Sequence, residues 1–290
     1  MTVNRYCGSG IETIGLATAK IRAGMADVII AGGTESMSLV PTVGYKTAPN
    51  FEIANTHPEY YIGMGLTAEN VAVKYGIKRE QSDLFSFNSH QKAMAAIEAG
   101  KFKNDIVPVE VEEVYYENGK KKSKKTLVAQ DEGPRADTTI EGLAKLKPAF
   151  KLGGQVTAGN SSQTSDAAAF VLVVSEKVVK ELGLQPIARM VTFASAGVDP
   201  TLMGIGPVAA IPKALKQANL NLSDIELIEL NEAFAAQSLA VIQEAGLNAD
   251  IINPNGGAVA LGHPLGASGT YLFQKLIGEM QRRNNKYGMV

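Results

Sequence analysis

The stretch CGSGIETIGLATAKIRAGMADVIIAGG, Cys7–Gly33, decides the fold. Within it Ile11, Ile14, Ala17 and Ile21 recur at helical spacing, and Gly24 supplies a stop. Asp27–Gly33 then reads as a short, buried strand closed by glycines. A helix leading into a parallel-type strand is the second half of a βαβ unit, so the chain reads as α/β. The same alternation returns later. Strands are expected at Ala167–Ser175, Ile187–Ala196 and Ile225–Leu230, and helices at Glu176–Leu182, Pro207–Ala218, Glu232–Ala245 and Ala267–Arg283. Gly288–Val290 reads as the opening of a further strand.

Residues 38–150 differ in character, with more charge, proline and tyrosine. Helices are expected at Thr67–Tyr75 and Glu80–Gly100. A strand pair is expected at Ile106–Tyr116 and Thr126–Ala129, around a polar tip. This reads as a smaller subdomain laid over the core. The lysine run Lys120–Lys125 falls at the expected tip and reads as a solvated turn, with attraction of an anionic ligand as the other use of such charge.

The two ends of the chain echo each other. Each has a glycine-rich loop, a helix and a following strand, and each loop carries one reactive side chain, Cys7 or His263. An internal repeat of a βαβ-rich half is the simplest account. It divides the chain into residues 1–183 and 184–290.

Composition narrows the function. A length of 290 residues allows a large core and two domains. A formal net charge of -1 gives no reason to expect nucleic acid or an anionic membrane as partner. The one cysteine rules out an intrachain disulfide and suits a reducing compartment. With no signal pattern and no membrane-spanning apolar run, a cytoplasmic chain is expected. Gly32-Gly33 and Gly153-Gly154 do not complete a dinucleotide or phosphate-loop motif.

Three side chains stand out. Cys7 sits in Asn4-Arg5-Tyr6-Cys7-Gly8-Ser9-Gly10, directly before a helical pattern. Positive potential at a helix start favours a thiolate, and glycine neighbours leave room for an acyl group. A buried structural cysteine is the competing reading. His263 lies between Gly262 and Pro264, which suits a rigidly held imidazole that could activate the thiol. Of the other two histidines, His90 on a polar helical stretch reads as surface-exposed and His57 as a solvent-facing loop residue. Asn231 follows the strand Ile228–Leu230, where open α/β sheets place ligands. There it could cap the next helix or hold a water or a carbonyl oxygen.

Together these residues resemble the thiolase family, in its degradative 3-ketoacyl-CoA thiolase / acetyl-CoA acyltransferase branch. The resemblance runs the whole chain. It is carried by Asn4–Gly10, Ala31–Ser38, Val156–Ser162, Met203–Pro207, Asn231-Glu232-Ala233-Phe234-Ala235 and Asn255–Gly269. It implies a five-layer αβαβα fold of two related halves with an inserted loop subdomain. It implies ping-pong acyl transfer through Cys7, with His263 as base and a water held by Asn231 completing an oxyanion hole. Arg135 and Ser162 would contact coenzyme A, which is a substrate; no metal or prosthetic group is needed. A homodimer or homotetramer is implied for the full protein.

The chain also departs from the family pattern. It starts at the acyl-cysteine motif and carries no second cysteine, whereas members use one in a Cys-x-Gly-Gly-Gly loop to move the α-proton. A fragment that cannot run the full reaction alone is the expectation, and an inert CoA-binding or assembly fragment is the competing function. A decarboxylating ketoacyl synthase, which has two histidines beside its cysteine, is the competing enzyme. Gly63 stands where short-chain relatives have a histidine, which leans toward 3-ketoacyl-CoA cleavage.

Overall fold

The computed structural model describes residues 1–290. A short turn, Tyr6–Gly8, leads straight into α1, Ser9–Arg22. Glu12 in its first turn and Lys20 and Arg22 in its last match the helix dipole. β1, Val28–Ser36, follows as expected but differs in partner and burial. It pairs antiparallel with a later strand, Asp166–Val174, rather than lying in a parallel ladder. Ala31 is buried while Ile30 is 72% exposed. The cause is one-sided packing. Ile29 and Ala31 face Ile14, Ala17 and Phe273, and alternate residues point away from that layer.

α2 (Phe51–Thr56), α3 (Met64–Lys74) and α4 (Arg79–Glu98) follow. α3 and the turn after it are part of the main core, because Val71, Ala72 and Ile77 pack with Leu202, Ile228, Ala236 and Val241. β2 (Val109–Glu117) and β3 (Lys120–Val128) form an exposed hairpin closed by Asn118-Gly119, both at positive φ. The lysine run is therefore not the tip. It is strand β3, and Lys120, Lys124 and Lys125 stand opposite Glu117, Glu113 and Glu112. After α5 (Ile140–Ala144), β4 (Asp166–Val174) completes the ladder with β1, and α6 (Glu176–Glu181) follows.

Ile187–Ala196, expected as a strand, enters no ladder. Side chains occupy its carbonyls instead. Arg22 donates to the Met190 and Val191 oxygens, and Lys213 to that of Ser195. α7 (Gly206–Ala218) and β5 (Leu227–Ile228) come next. β5 is shorter than the expected Ile225–Leu230 because the Asn253 side chain takes both the N–H and the C=O of Leu230 at 2.8 Å, in place of a neighbouring strand. α8 (Ala235–Glu244), α9 (Ala258–Leu261) and α10 (Leu265–Arg283) complete the helices. β6 (Gly288–Met289) pairs parallel with β5.

A buried ion pair fixes α10 beneath β5. Lys275 Nζ lies 2.9 Å from Glu229 Oε2 and donates to the Gly256 oxygen at 2.7 Å. Burial pushes the Glu229 carboxyl up, and Lys275 opposes that shift.

Candidate active site

The turn bearing Cys7 is held against the start of α10. α1 and α10 approach backbone to backbone there. A Cβ on Gly10 would sit 2.5 Å from the Thr270 nitrogen, and one on Gly269 would sit 2.2 Å from the Ile11 nitrogen. Only glycine permits this spacing, which explains Gly10 and Gly269. His263 lies two residues before α10, so cysteine and histidine reach the same end of that helix. No hydrogen bond joins the Cys7 sulfur to the imidazole.

The Cys7 thiol is pushed up to about 11, mainly by burial, with the Glu35 carboxylate adding to the rise and its own backbone N–H opposing it. This reverses the expectation of an acidic thiol at a helix start. α1 begins two residues later, at Ser9, so the thiol is not seated on the first helical N–H groups. Desolvation then outweighs the dipole. Glu35 is itself held by the N–H of Gly266 at 3.0 Å.

His263 is 4% exposed, and burial holds its imidazole down at about 4, so the ring is neutral. The tautomer follows from its partners. Ser268 Oγ donates its one proton to the Pro264 oxygen at 2.7 Å, so it must accept from His263 Nδ1–H at 2.6 Å. Nε2 therefore carries the lone pair, and Asn231 Nδ2 donates to it at 3.2 Å. The Asn231 Oδ1 is buried and unpartnered. Asn231 is not a helix cap, because α8 starts at Ala235 with Phe234 before it. Phe234 bridges antiparallel to Ser161, and the Ser162 N–H bonds to the Ala233 oxygen at 2.9 Å.

Arg135 is exposed. Its backbone N–H donates to His90 Nδ1 at 3.1 Å. His90 is buried, at 5% exposure, not on the surface as the polarity of its helix suggested. That face of α4 packs against α9, and burial together with the Arg135 charge lowers the imidazole pKa. His57 is exposed beside Glu59, as expected. Gln163 ties the neighbouring loops together. Its Nε2 donates to the Gly133, Val259 and Ala260 oxygens, and its own carbonyl accepts from the His263 N–H at 3.0 Å. Sequence reasoning missed Gln163, Ser268, Glu232 and Asn253. The available signal was polar side chains embedded in glycine turns between apolar elements. No group of three or more His, Cys, Asp or Glu side chains is placed to hold a metal ion. No helix is long and apolar enough to cross a membrane.

Known proteins resemble this arrangement along its whole length. A family model described as "Thiolase, N-terminal domain" matches residues 1–177, and one described as "Thiolase, C-terminal domain" matches 184–290. A "3-ketoacyl-CoA thiolase" of Bacillus subtilis is 53% identical over 100% of this chain and 74% of its own length. An "Acetyl-CoA acetyltransferase" of Pseudomonas aeruginosa is 48% identical over 100% of this chain and 75% of its own. The crystal structure of human mitochondrial 3-ketoacyl-CoA thiolase superposes with a TM-score of 0.88 at 42% identity, covering 99% of this chain and 74% of that one. The fold is thus the thiolase α/β fold, the ketoacyl synthase reading falls away, and the chain belongs to the thiolase family of acyl-transferring enzymes.

Proposed function

We propose that the chain transfers acyl groups to and from coenzyme A through a thioester on Cys7, in the direction of 3-ketoacyl-CoA cleavage. The observation that carries this reading is the neutral His263, locked by Ser268 with Nε2 unprotonated, so that Nε2 can exchange the Asn231 N–H bonded there for the Cys7 proton. A protonated thiol needs such a base.

In the proposed reaction Cys7 sulfur attacks the keto carbonyl while its proton passes to His263 Nε2. Cleavage of the adjacent carbon–carbon bond leaves the acyl group on sulfur, and the α-carbon of the departing acetyl-CoA takes the proton held on His263 Nε2. A CoA thiol then attacks the Cys7 thioester, and its proton passes through His263 Nε2 to the released Cys7 sulfur. Protonated Nε2 and a water accepted by the unpartnered Asn231 Oδ1 would stabilise the thioester oxygen, with the Cys7 N–H serving a second oxyanion. Arg135, which is exposed, would meet CoA phosphates through charge-assisted hydrogen bonds, and the half-buried Ser162 would contact the same ligand. Gly63 has open space where a side chain would stand, which suits a longer acyl chain. None of these steps calls for a metal or prosthetic group.

A second reading rests on composition. These residues contain one thiol, so Cys7 can hold an acyl group but no second thiol among them can move the α-proton. An inert CoA-binding chain is that alternative. Mixing purified protein with acetyl-CoA and weighing it by intact mass spectrometry separates the two. An acetyl adduct on wild type and none on Cys7→Ser is expected. Absence of the adduct on folded wild type would refute acyl transfer and leave the inert reading.

A further inference from the structure

We propose that Glu232 is a positioning residue that fixes the Asn231 amide on His263 Nε2, by clamping the Asn231 turn to the glycine turn that leads to His263. The inference rests on the reading above, in which Asn231 and His263 act together.

Glu232 is only 2% exposed, and the three groups hydrogen-bonded to its carboxylate are all donors. Ser89 Oγ on α4 donates to Oε2 at 2.6 Å, and the Val259 N–H at the start of α9 donates to the same oxygen at 3.2 Å. Asn253 Nδ2 donates to Oε1 at 2.8 Å. Gly257 passes so close that a Cβ would stand 2.2 Å from the carboxyl carbon. Its N–H donates to Ser89 Oγ at 3.1 Å, which closes the loop around the carboxylate.

Asn253 makes this clamp directional. Its Oδ1 accepts from the Leu230 N–H and its Nδ2 donates to the Leu230 oxygen, both at 2.8 Å. With Glu232 Oε1 as third partner, both amide hydrogens are committed and the group cannot flip. Asn231 thus sits between Leu230 and Glu232, each tied to the Asn253–Val259 turn. With its backbone held at both sides, Asn231 places Nδ2 3.2 Å from His263 Nε2.

Glu232→Gln keeps the shape and inserts a donor. Facing Asn253, the new NH2 meets Nδ2, which cannot reverse. Facing the other way, it meets the Val259 N–H, which cannot reverse either. One strut of the clamp fails in either orientation.

The test uses the whole chain labelled with 15N-histidine, with the three rings assigned by single substitutions. Asn231→Ala defines the His263 Nε2 resonance with no donor on it. Glu232→Gln is expected to move Nε2 toward that position while the protein still melts cooperatively. Ser89→Ala removes one strut without touching Glu232 and should move Nε2 part of the way; it decides the matter if Glu232→Gln does not fold. An unmoved Nε2 in the folded Glu232 or Ser89 variant, or in Asn231→Ala, overturns the proposal. The rate of Cys7 acetylation supplies the second readout. Glu232→Gln should slow it on the order of 10^2-fold, as misplacement of a working group does, and should add less than twofold on top of Asn231→Ala. Multiplying losses would mean a merely structural role and would overturn the inference. Absence of acetylation in wild type would refute the acyl-transfer reading alone, since the nitrogen resonances still decide the role of Glu232.

Discussion

The Cys7 thiol should be unreactive at neutral pH unless a substrate draws its proton to His263. With its pKa pushed up to about 11, thiolate makes up about one part in 10^4 at pH 7. A free cysteine near 8.5 is about 3% thiolate at that pH. The ratio predicts alkylation by iodoacetamide about 300-fold slower than for a model thiol, since thiolate is the reacting species. Because the chain has a single cysteine, loss of titratable thiol or gain of mass reports Cys7 alone. The rate should climb about tenfold per pH unit from 7 to 10 with no plateau. The neighbouring imidazole agrees in sign: held neutral down to about 4, it offers no positive charge to stabilise a resting thiolate. A plateau below pH 8, or reaction as fast as a free thiol, would refute this. It would mean that a thiolate–imidazolium pair already exists at rest.

Two further predictions follow from the buried charges. His263 titrates at about 4 when folded against 6.5 when unfolded, so between these values the unfolded chain binds the extra proton. Stability held above pH 6.5 should fall by about 3 kcal/mol as pH drops to 4. Urea titrations across that window should show the loss shrinking in His263→Gln; an identical slope in the variant would sink the idea. Lys275→Met leaves Glu229 buried without its partner, and should cost about 3–5 kcal/mol in the same assay. A cost below 1 kcal/mol would show that Glu229 finds water or a proton cheaply.

Much of the architecture could be read from local patterns. The helices after Gly8, Thr67, Glu80, Pro207 and Ala267 lie where their apolar spacing put them, within a few residues. The hairpin tip is Asn118-Gly119, two residues that tolerate positive φ, and the lysine run beside it is strand because its charges pair across the ladder with glutamates. Ile187–Ala196 has strand composition, but composition does not say whether a neighbouring strand lies beside it. The polar neighbours of His90 suggest an exposed face, yet Ser86 and Ser89 on the same helix are buried and hydrogen-bonded.

For the candidate site, the amino-acid order by itself determined which side chains are available: one thiol, an imidazole between glycine and proline, and an amide after a strand. These are local facts of residue type and backbone restriction. Only the tertiary structure decided their chemical state. The thiol rises and the imidazole falls because of what packs over them, and desolvation is a property of the whole fold. Ser268 sets the tautomer of His263, and Asn253 and Glu232 aim Asn231, through contacts between turns that are separated in sequence. Hydrogen-bond direction depends on which atoms meet in space, which no reading along the chain supplies.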